Sequence, residues 1–232
     1  MPFFYDANIR VEGFLWYHFR SLPTSNYYVG EIPPVIHNYG FTLALAGFIV
    51  NPETGYGSLY GVTRYEYPVE LFKKYGVYSY PLMLSKPKLG EFLMSAQNEG
   101  IAAMKSRTRL AYPFFTKNVM IMPGSELSTL VISERELPRK LVVNIGAKRA
   151  GVLRVKLTQV EVDVTENQYV SRPFNVVDVE KVTNYTILVP HEAGDIAVFG
   201  IAERSYTYTI WEGGRKRKAS FPALKWKGSE DG

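Results

Sequence analysis

Apolar side chains along most of this chain recur at every second position, in short runs rich in Val, Ile, Tyr, Phe and Thr that are punctuated by Gly and Pro. That period is the signature of half-buried strands. The first run covers residues 9–19, where Ile9, Val11, Leu15, Tyr17 and Phe19 share one face. Further strands are predicted at 77–84 (broken or forced to an edge by Pro81), 127–133, 141–145, 175–179, 185–189, 196–201, 206–211 and 221–226. In the run at 152–164 (VLRVKLTQVEVDV) the apolar phase moves from Leu153, Val155 and Leu157 to Val160, Val162 and Val164, which predicts a bulge or sharp twist near Thr158. Helical signal is sparse. It is clearest at 35–50 (VIHNYGFTLALAGFIV), which follows Pro33-Pro34, with a short turn at 71–75; residues 92–104 read as helix or loop because Gly100 weakens a helix. A strand, a helix and then many antiparallel strands point to an α+β fold with helices on one face of a sheet.

Length and composition add limits. The 232 residues, 46% hydrophobic and 21% charged, suffice for a full core in a single domain spanning 1–232. The most apolar stretch, 41–50, is about half of what a membrane span needs, and MPFFYDANIRV lacks the layout of a secretory signal, so no membrane and a cytoplasmic location are expected. With no cysteine, disulfides, thiolate metal sites and cysteine nucleophiles are excluded.

Charge changes the picture more. Between Lys105 and Lys156 stand eleven Lys or Arg against three acids, a net charge of +8, while the whole chain carries only +5. Positive charge gathered in this way suits a polyanion, because releasing the counterions of phosphates supplies affinity independent of base sequence. Within the window, KSRTRLAYPFFTK alternates Lys105, Arg107 and Arg109 with the hydroxyls of Ser106 and Thr108, then adds Tyr112, Phe114, Phe115 and Lys117. An extended segment of this kind can follow a phosphate chain with its cations and stack unpaired bases on its aromatics. The glycine-flanked turn GAKRAG brings Lys148 and Arg149 beside backbone amides, a weaker phosphate signal. Arg215–Lys218 (RKRK) forms a third cluster, read as a solvated loop.

Enzyme signatures are missing from the sequence. His18, His37 and His191 have no histidine partner at i+3 or i+4, and neither a nucleotide-binding glycine loop nor a GxSxG elbow occurs. The pairs Glu134/Glu136 and Glu161/Asp163 sit at strand spacing on solvent-facing phases. His37 beside Tyr39 with a distant Lys could serve metal-free RNA cleavage, against the plainer reading of His37 as a residue that caps the helix or lines a groove.

Residues 36–46 (IHNYGFTLALA) and 137–151 (LPRKLVVNIGAKRAG), with the basic proline-containing segment 105–127, resemble the Cas-five-like (Csc-one) family of type I-D CRISPR Cascade complexes. The resemblance covers most of the chain and departs at Gly146-Ala147-Lys148, where that family has Gly-Lys. It implies a RAMP-type ferredoxin-like core with an antiparallel sheet, an extended β-hairpin or thumb and additional β structure, with a basic thumb or loop insertion around 100–150. It further implies a non-catalytic scaffold role without cofactor or metal, in antiviral defence. The partners would be the crRNA 5′ handle, a Cas-seven-like backbone subunit and the large subunit, with contact to target DNA left open. His37, Asn38 and Tyr39 would then lie near the handle or a neighbouring subunit, Lys105, Arg107, Arg109 and Lys117 along the RNA, and Lys148 and Arg149 at the glycine turn. The alternative is a metal-independent endoribonuclease that processes repeat RNA.

Overall fold

A computed structural model describes residues 2–15, 21–24, 27–30, 35–50, 68–95, 115–146, 151–191, 193–212 and 214–225. Its strands are β1 (Phe3–Val11), β2 (Ser21–Thr24), β3 (Tyr27–Gly30), β4 (Val35–Ile36), β5 (Val77–Ser79), β6 (Leu82–Lys86), β7 (Leu89–Ser95), β8 (Phe115–Ile121) and β9 (Glu126–Ser133). They continue with β10 (Lys140–Ile145), β11 (Gly151–Gln159), β12 (Asp163–Tyr169), β13 (Phe174–Asn175), β14 (Val182–Thr183), β15 (Thr186–Val189), β16 (Ile196–Val198), β17 (Ile201–Glu212) and β18 (Arg215–Pro222). The helices are α1 (Asn38–Val50) and α2 (Pro68–Tyr75). The fold is α+β and mostly antiparallel.

The central sheet has seven strands in the order β10-β11-β1-β9-β6-β4, with β5 also pairing with β9. Alternation decides its two faces. Ala7, Ile9 and Val11 of β1, Leu153, Val155 and Leu157 of β11, and Leu127 and Val131 of β9 turn to one side, where Phe41, Ala44, Leu45 and Ala46 of α1 cover them. The sheet curls, so α1 touches both β5 and the far edge strand β10. On the other side Leu130 and Ile132 of β9 join Tyr206, Tyr208 and Phe221 of β17 and β18 in a second core. Strand β9 is therefore buried on both faces, each side chain of this size contributing about 1.5–3 kcal/mol. The β12-β17-β14 sheet, with β18 on β17, and the small β13-β16-β15 sheet complete this layer. A fourth sheet, β2-β3-β8-β7, extends the β6 and β9 strands as a hairpin and contains the one parallel pairing among the described strands, β3 with β8.

Several expectations are corrected. Strand β1 begins at Phe3, because Tyr5 and Ala7 extend the buried phase of Ile9 and Val11. Val35 and Ile36 are a strand, pairing with Met83 and Leu82; α1 starts only at Asn38, since a short apolar run fits either element until its partner is known. The phase change near Thr158 is no bulge. Strand β11 ends at Gln159, and Val160 and Val162 pack on the second core, so the chain passes there from one hydrophobic layer to the other. Only Phe174–Asn175 is strand in the 175–179 region, β16 stops at Val198, and 221–226 is largely past the end of β18. The RKRK cluster is strand, because Arg215–Lys218 pairs with Glu212–Thr209 of β17. Pro81 does interrupt its strand, separating β5 from β6. Glu134, Glu136, Glu161 and Asp163 are exposed, as expected. Phe92–Ser95 belongs to β7; residues 96–104, like the tail after 225, lie outside the described residues.

Candidate nucleic-acid interface

The N-terminus of α1 is tied into the body of the protein by polar side chains. His37 precedes the helix, and its Nδ1 accepts the Tyr39 backbone N–H at 3.0 Å, a capping bond. Nε2 must then carry the ring proton, and it donates to the Gly194 carbonyl at 2.9 Å. The ring lies 4.2 Å from that of His191. Burial, together with this neighbouring imidazole and against the Gly194 bond, lowers the His37 pKa to about 4. Asn38 has no exposed surface; its amide nitrogen lies within 3.1 Å of Tyr78 Oη, the Ser79 carbonyl and Asp178 Oδ2. Asp178 also accepts from Tyr78 Oη at 3.0 Å and from the backbone N–H of Val69 in the first turn of α2 at 3.2 Å. Burial raises the Asp178 carboxyl to about 7 despite these bonds. His37 and Asn38 thus spend their polar atoms inside the protein, and Tyr39 is half-buried beside them.

Of the other residues singled out in the sequence, Lys117 lies on β8 opposite Leu93 of β7 and Val29 of β3. Lys105, Ser106, Arg107, Thr108, Arg109 and Tyr112 fall outside the described residues, in the segment between Ser95 and Phe115, which are paired across β7 and β8. Lys148 and Arg149 also fall outside them, between β10 and β11, where Ile145 faces Gly151.

Three of the described cations of the basic window, Lys140, Arg154 and Lys156, stand with Arg10 on the outer face of the central sheet, opposite α1. Register places Lys140, Lys156, Asn8 and Ser128 in one row across β10, β11, β1 and β9. The next row holds Val142, Arg154, Arg10 and Glu126. Lys140 thus faces Lys156, and Arg154 faces Arg10, two like-charge cross-strand pairs that cost stability. Glu12 offsets the second, lying 3.2 Å from Arg154 and 3.7 Å from Arg10. Lys140 and Lys156 have no ion pair among the described residues. Arg135 and Arg139 are exposed in the approach to β10.

Where the β17–β18 hairpin overhangs this face there is a groove of about 350 Å³. Asn8 and Ser128 of the first row line it together with Met83, Ile210 and Trp211. Tyr208 also lines it and donates to Asp6 Oδ1 at 3.1 Å. Trp211 is 71% exposed, and the Lys216 ammonium sits 5.6 Å from its ring. Sequence reasoning singled out none of these residues as a site. The outward phase of Arg154 and Lys156 in VLRVKL was the available signal, but the strands beside them are set by register.

The described residues hold no group of three His, Asp or Glu able to bind a metal, and no helix among them is long and apolar enough to cross a membrane. The class defined is an α+β protein of antiparallel sheets, with α1 covering one face of the central sheet and a basic strip on the other. The model of the Type I-D CRISPR-associated protein Cas5/Csc1 family matches residues 2–210, and the chain belongs to that family, as a Cas5-like type I-D subunit. Comparison with curated proteins finds no match.

Proposed function

We propose that this chain is the non-catalytic subunit that binds the crRNA 5′ handle and serves as a scaffold in a type I-D CRISPR Cascade interference complex, abutting the Cas-seven-like backbone subunit and the large subunit. The family match over residues 2–210 carries the reading. The charge distribution supports it: the window 105–156 holds a net +8, and three of its described cations, Lys140, Arg154 and Lys156, share one sheet face. In such a role the protein holds a phosphate backbone and unstacked bases, while guide pairing reads the target.

The same reading takes the central sheet as a RAMP-type ferredoxin-like core. Strands β11, β1, β9 and β6 are adjacent in that order, which is fourth, first, third, second along the chain, the order of a split β-α-β unit. Helices lie between β1 and β6, whereas β10 stands between β9 and β11 where a second helix would be expected. The hairpin β7–β8 and the segment it brackets would be the thumb.

Against the endoribonuclease alternative stands His37, which is 2% exposed with both ring nitrogens engaged internally and so has no free lone pair for a general base. The test is binding of repeat-derived RNA at several salt concentrations. Affinity should fall steeply with salt and be lost when Arg107 and Arg109 are replaced by Ala; a flat salt response overturns the proposal. Site-specific cleavage of repeat RNA in EDTA, abolished by His37→Ala, would establish the enzyme instead.

A further inference from the structure

We propose that the groove beneath Trp211 is a binding site for one unpaired nucleotide, whose flanking phosphates lie on the basic strip formed by Lys140, Lys156, Arg154 and Arg10. This rests on the nucleic-acid reading above and adds a base site on the β17 hairpin, which the sequence did not single out, to cations of the basic window.

Three observations carry it. The first is continuity: Asn8 and Ser128 line the groove and also stand in the cross-strand row that runs on to Lys156 and Lys140. A strand of nucleic acid leaving the groove along that row meets the cations at once. From β9 to β10 the row spans three inter-strand steps, about 14 Å, enough for a few nucleotides.

The second is the division of charge. The groove itself is balanced, with Lys86 and Arg172 against Glu126 and Asp6, and Lys86 is paired to Glu126 at 2.8 Å. A phosphate gains little there. A base gains more: Met83, Pro173 and Ile210 offer apolar contact, while the carboxylates and the side chains of Asn8 and Ser128 present acceptors and donors for its polar edge. The strip next to the groove has the opposite character, four cations against Glu12 and Glu126, the latter already paired to Lys86. A neutral base site beside a positive backbone site matches the anatomy of a single strand with one base turned inward.

The third is Trp211, whose indole is left largely in solvent at the groove rim with a lysine ammonium against it. An exposed indole flanked by cations is a stacking platform, useful to any base because every base has a π-face. Arg215, Lys216, Arg217 and Lys218 on the paired strand add positive charge on the same hairpin.

The experiment uses the full chain and a short oligoribonucleotide carrying 5-iodouridine, with the matching oligodeoxynucleotide as a second arm to separate RNA from DNA. Ultraviolet crosslinking followed by trypsin should place the adduct on the peptide from Ser205 to Arg215, which contains Trp211. Trp211→Ala should weaken binding about tenfold and Trp211→Phe should restore most of it, since a phenyl ring still stacks. Replacing Lys140 and Lys156 together by Ala should reduce the slope of log affinity against log salt by about 1.4, two contacts at roughly 0.7 each for a single strand.

If Trp211→Ala and the double lysine variant bind like the parent and no adduct maps to that peptide, while the Arg107/Arg109 variant still loses binding, the groove site is wrong and the handle-binding reading survives. If the parent protein binds neither oligonucleotide, both fall. If Trp211→Ala instead abolishes assembly with a partner subunit and leaves oligonucleotide affinity intact, the groove is a protein contact and the proposal fails.

Discussion

Asn38 and Asp178, 140 positions apart in the chain, meet with the amide nitrogen of one 3.1 Å from the carboxylate Oδ2 of the other. Through this contact the first residue of α1 is joined to a loop of the second layer, and Asp178 Oδ1 reaches on to the N-terminus of α2. Replacing Asp178 by Ala strips Val69 N–H and Tyr78 Oη of their common acceptor inside a region closed to water. The expected loss is roughly 3 kcal/mol or more, from several buried polar groups left unpaired at once. Asp178→Asn, which keeps one acceptor oxygen, should lose less. Urea midpoints of the two variants against the parent measure the difference.

Opposite pH dependences arise at the two ends of this seam. Asp178 titrates near 7 when folded against 3.8 in its ordinary state, so the folded protein takes up its proton first and stability rises as pH falls through that interval. His37 titrates near 4 when folded against 6.5, so the unfolded chain takes up its proton first and stability falls as pH drops from 6.5 to 4. Protonating Nδ1 would also remove the acceptor that caps Tyr39 N–H. The two effects cover nearly the same range with opposite sign and offset each other. Asp178→Asn should therefore become acid-sensitive below pH 6.5, at up to about 1.4 kcal/mol per pH unit, whereas His37→Asn should gain stability on acidification. Chemical denaturation at pH 7.5, 6 and 4.5 distinguishes the slopes, and parallel curves for the two variants would refute this account.

Gly194 closes the same region from the other side. Its carbonyl accepts the hydrogen bond from His37 Nε2–H, its φ is +99°, and a Cβ there would collide with Asn175 Oδ1. Asn175 cannot yield freely, because its amide donates to the Ala193 carbonyl at 2.8 Å and its oxygen accepts from Val177 N–H. Gly194→Ala should cost about 2–4 kcal/mol through clash and backbone strain together. Thermal unfolding should show the loss, and a midpoint within two degrees of the parent would contradict it.

Strand β9 gives Leu127 and Val131 to the first core and Leu130 and Ile132 to the second. The two layers share a strand and should not melt apart. Leu130→Ala, a truncation inside the second core, is expected to cost about 2–5 kcal/mol and to lower a single transition seen alike by far-ultraviolet dichroism and tyrosine fluorescence. Two separated transitions would show that the layers are independent.

How much of this was legible in the sequence depended on whether the information was local. Strands β9, β10 and β15 are legible because each is a local run of β-branched and apolar residues, and Pro81 announces its own break. The phase change near Thr158 was visible, but its cause was not: a bulge and a passage between two cores leave the same mark on one strand, and only the packing of Val160 and Val162 decides. Val35 and Ile36 read as helix in the sequence because their partners, Met83 and Leu82, lie nearly fifty residues away. The same limit hid the candidate site. Lys140 and Lys156 belong to the basic window, but that they oppose each other across β10 and β11, with Asn8 next in line, is a matter of register. At His37 and Asn38 the sequence motif coincides with an internal junction, whose bonds to Gly194, Tyr78, Ser79 and Asp178 are all long-range and so invisible in the motif itself.

That lysine pair also yields a prediction in which stability and binding part company. Two ammonium groups held directly opposite each other repel, with no ion pair to either among the described residues, so the fold by itself would favour a neutral β-branched residue at one of the two positions. Lys156→Thr should therefore raise stability by a few tenths of a kcal/mol, up to about 1 kcal/mol at low salt, and the gain should shrink as salt screens the repulsion. The same substitution should weaken RNA binding and flatten its salt dependence. Retaining repulsion that a single substitution could relieve is what a site selected for an anionic ligand is expected to show. Denaturation and RNA titration on one preparation of Lys156→Thr test both halves, and a variant that is less stable, or equally stable with undiminished RNA affinity, would show that the pair has no such role.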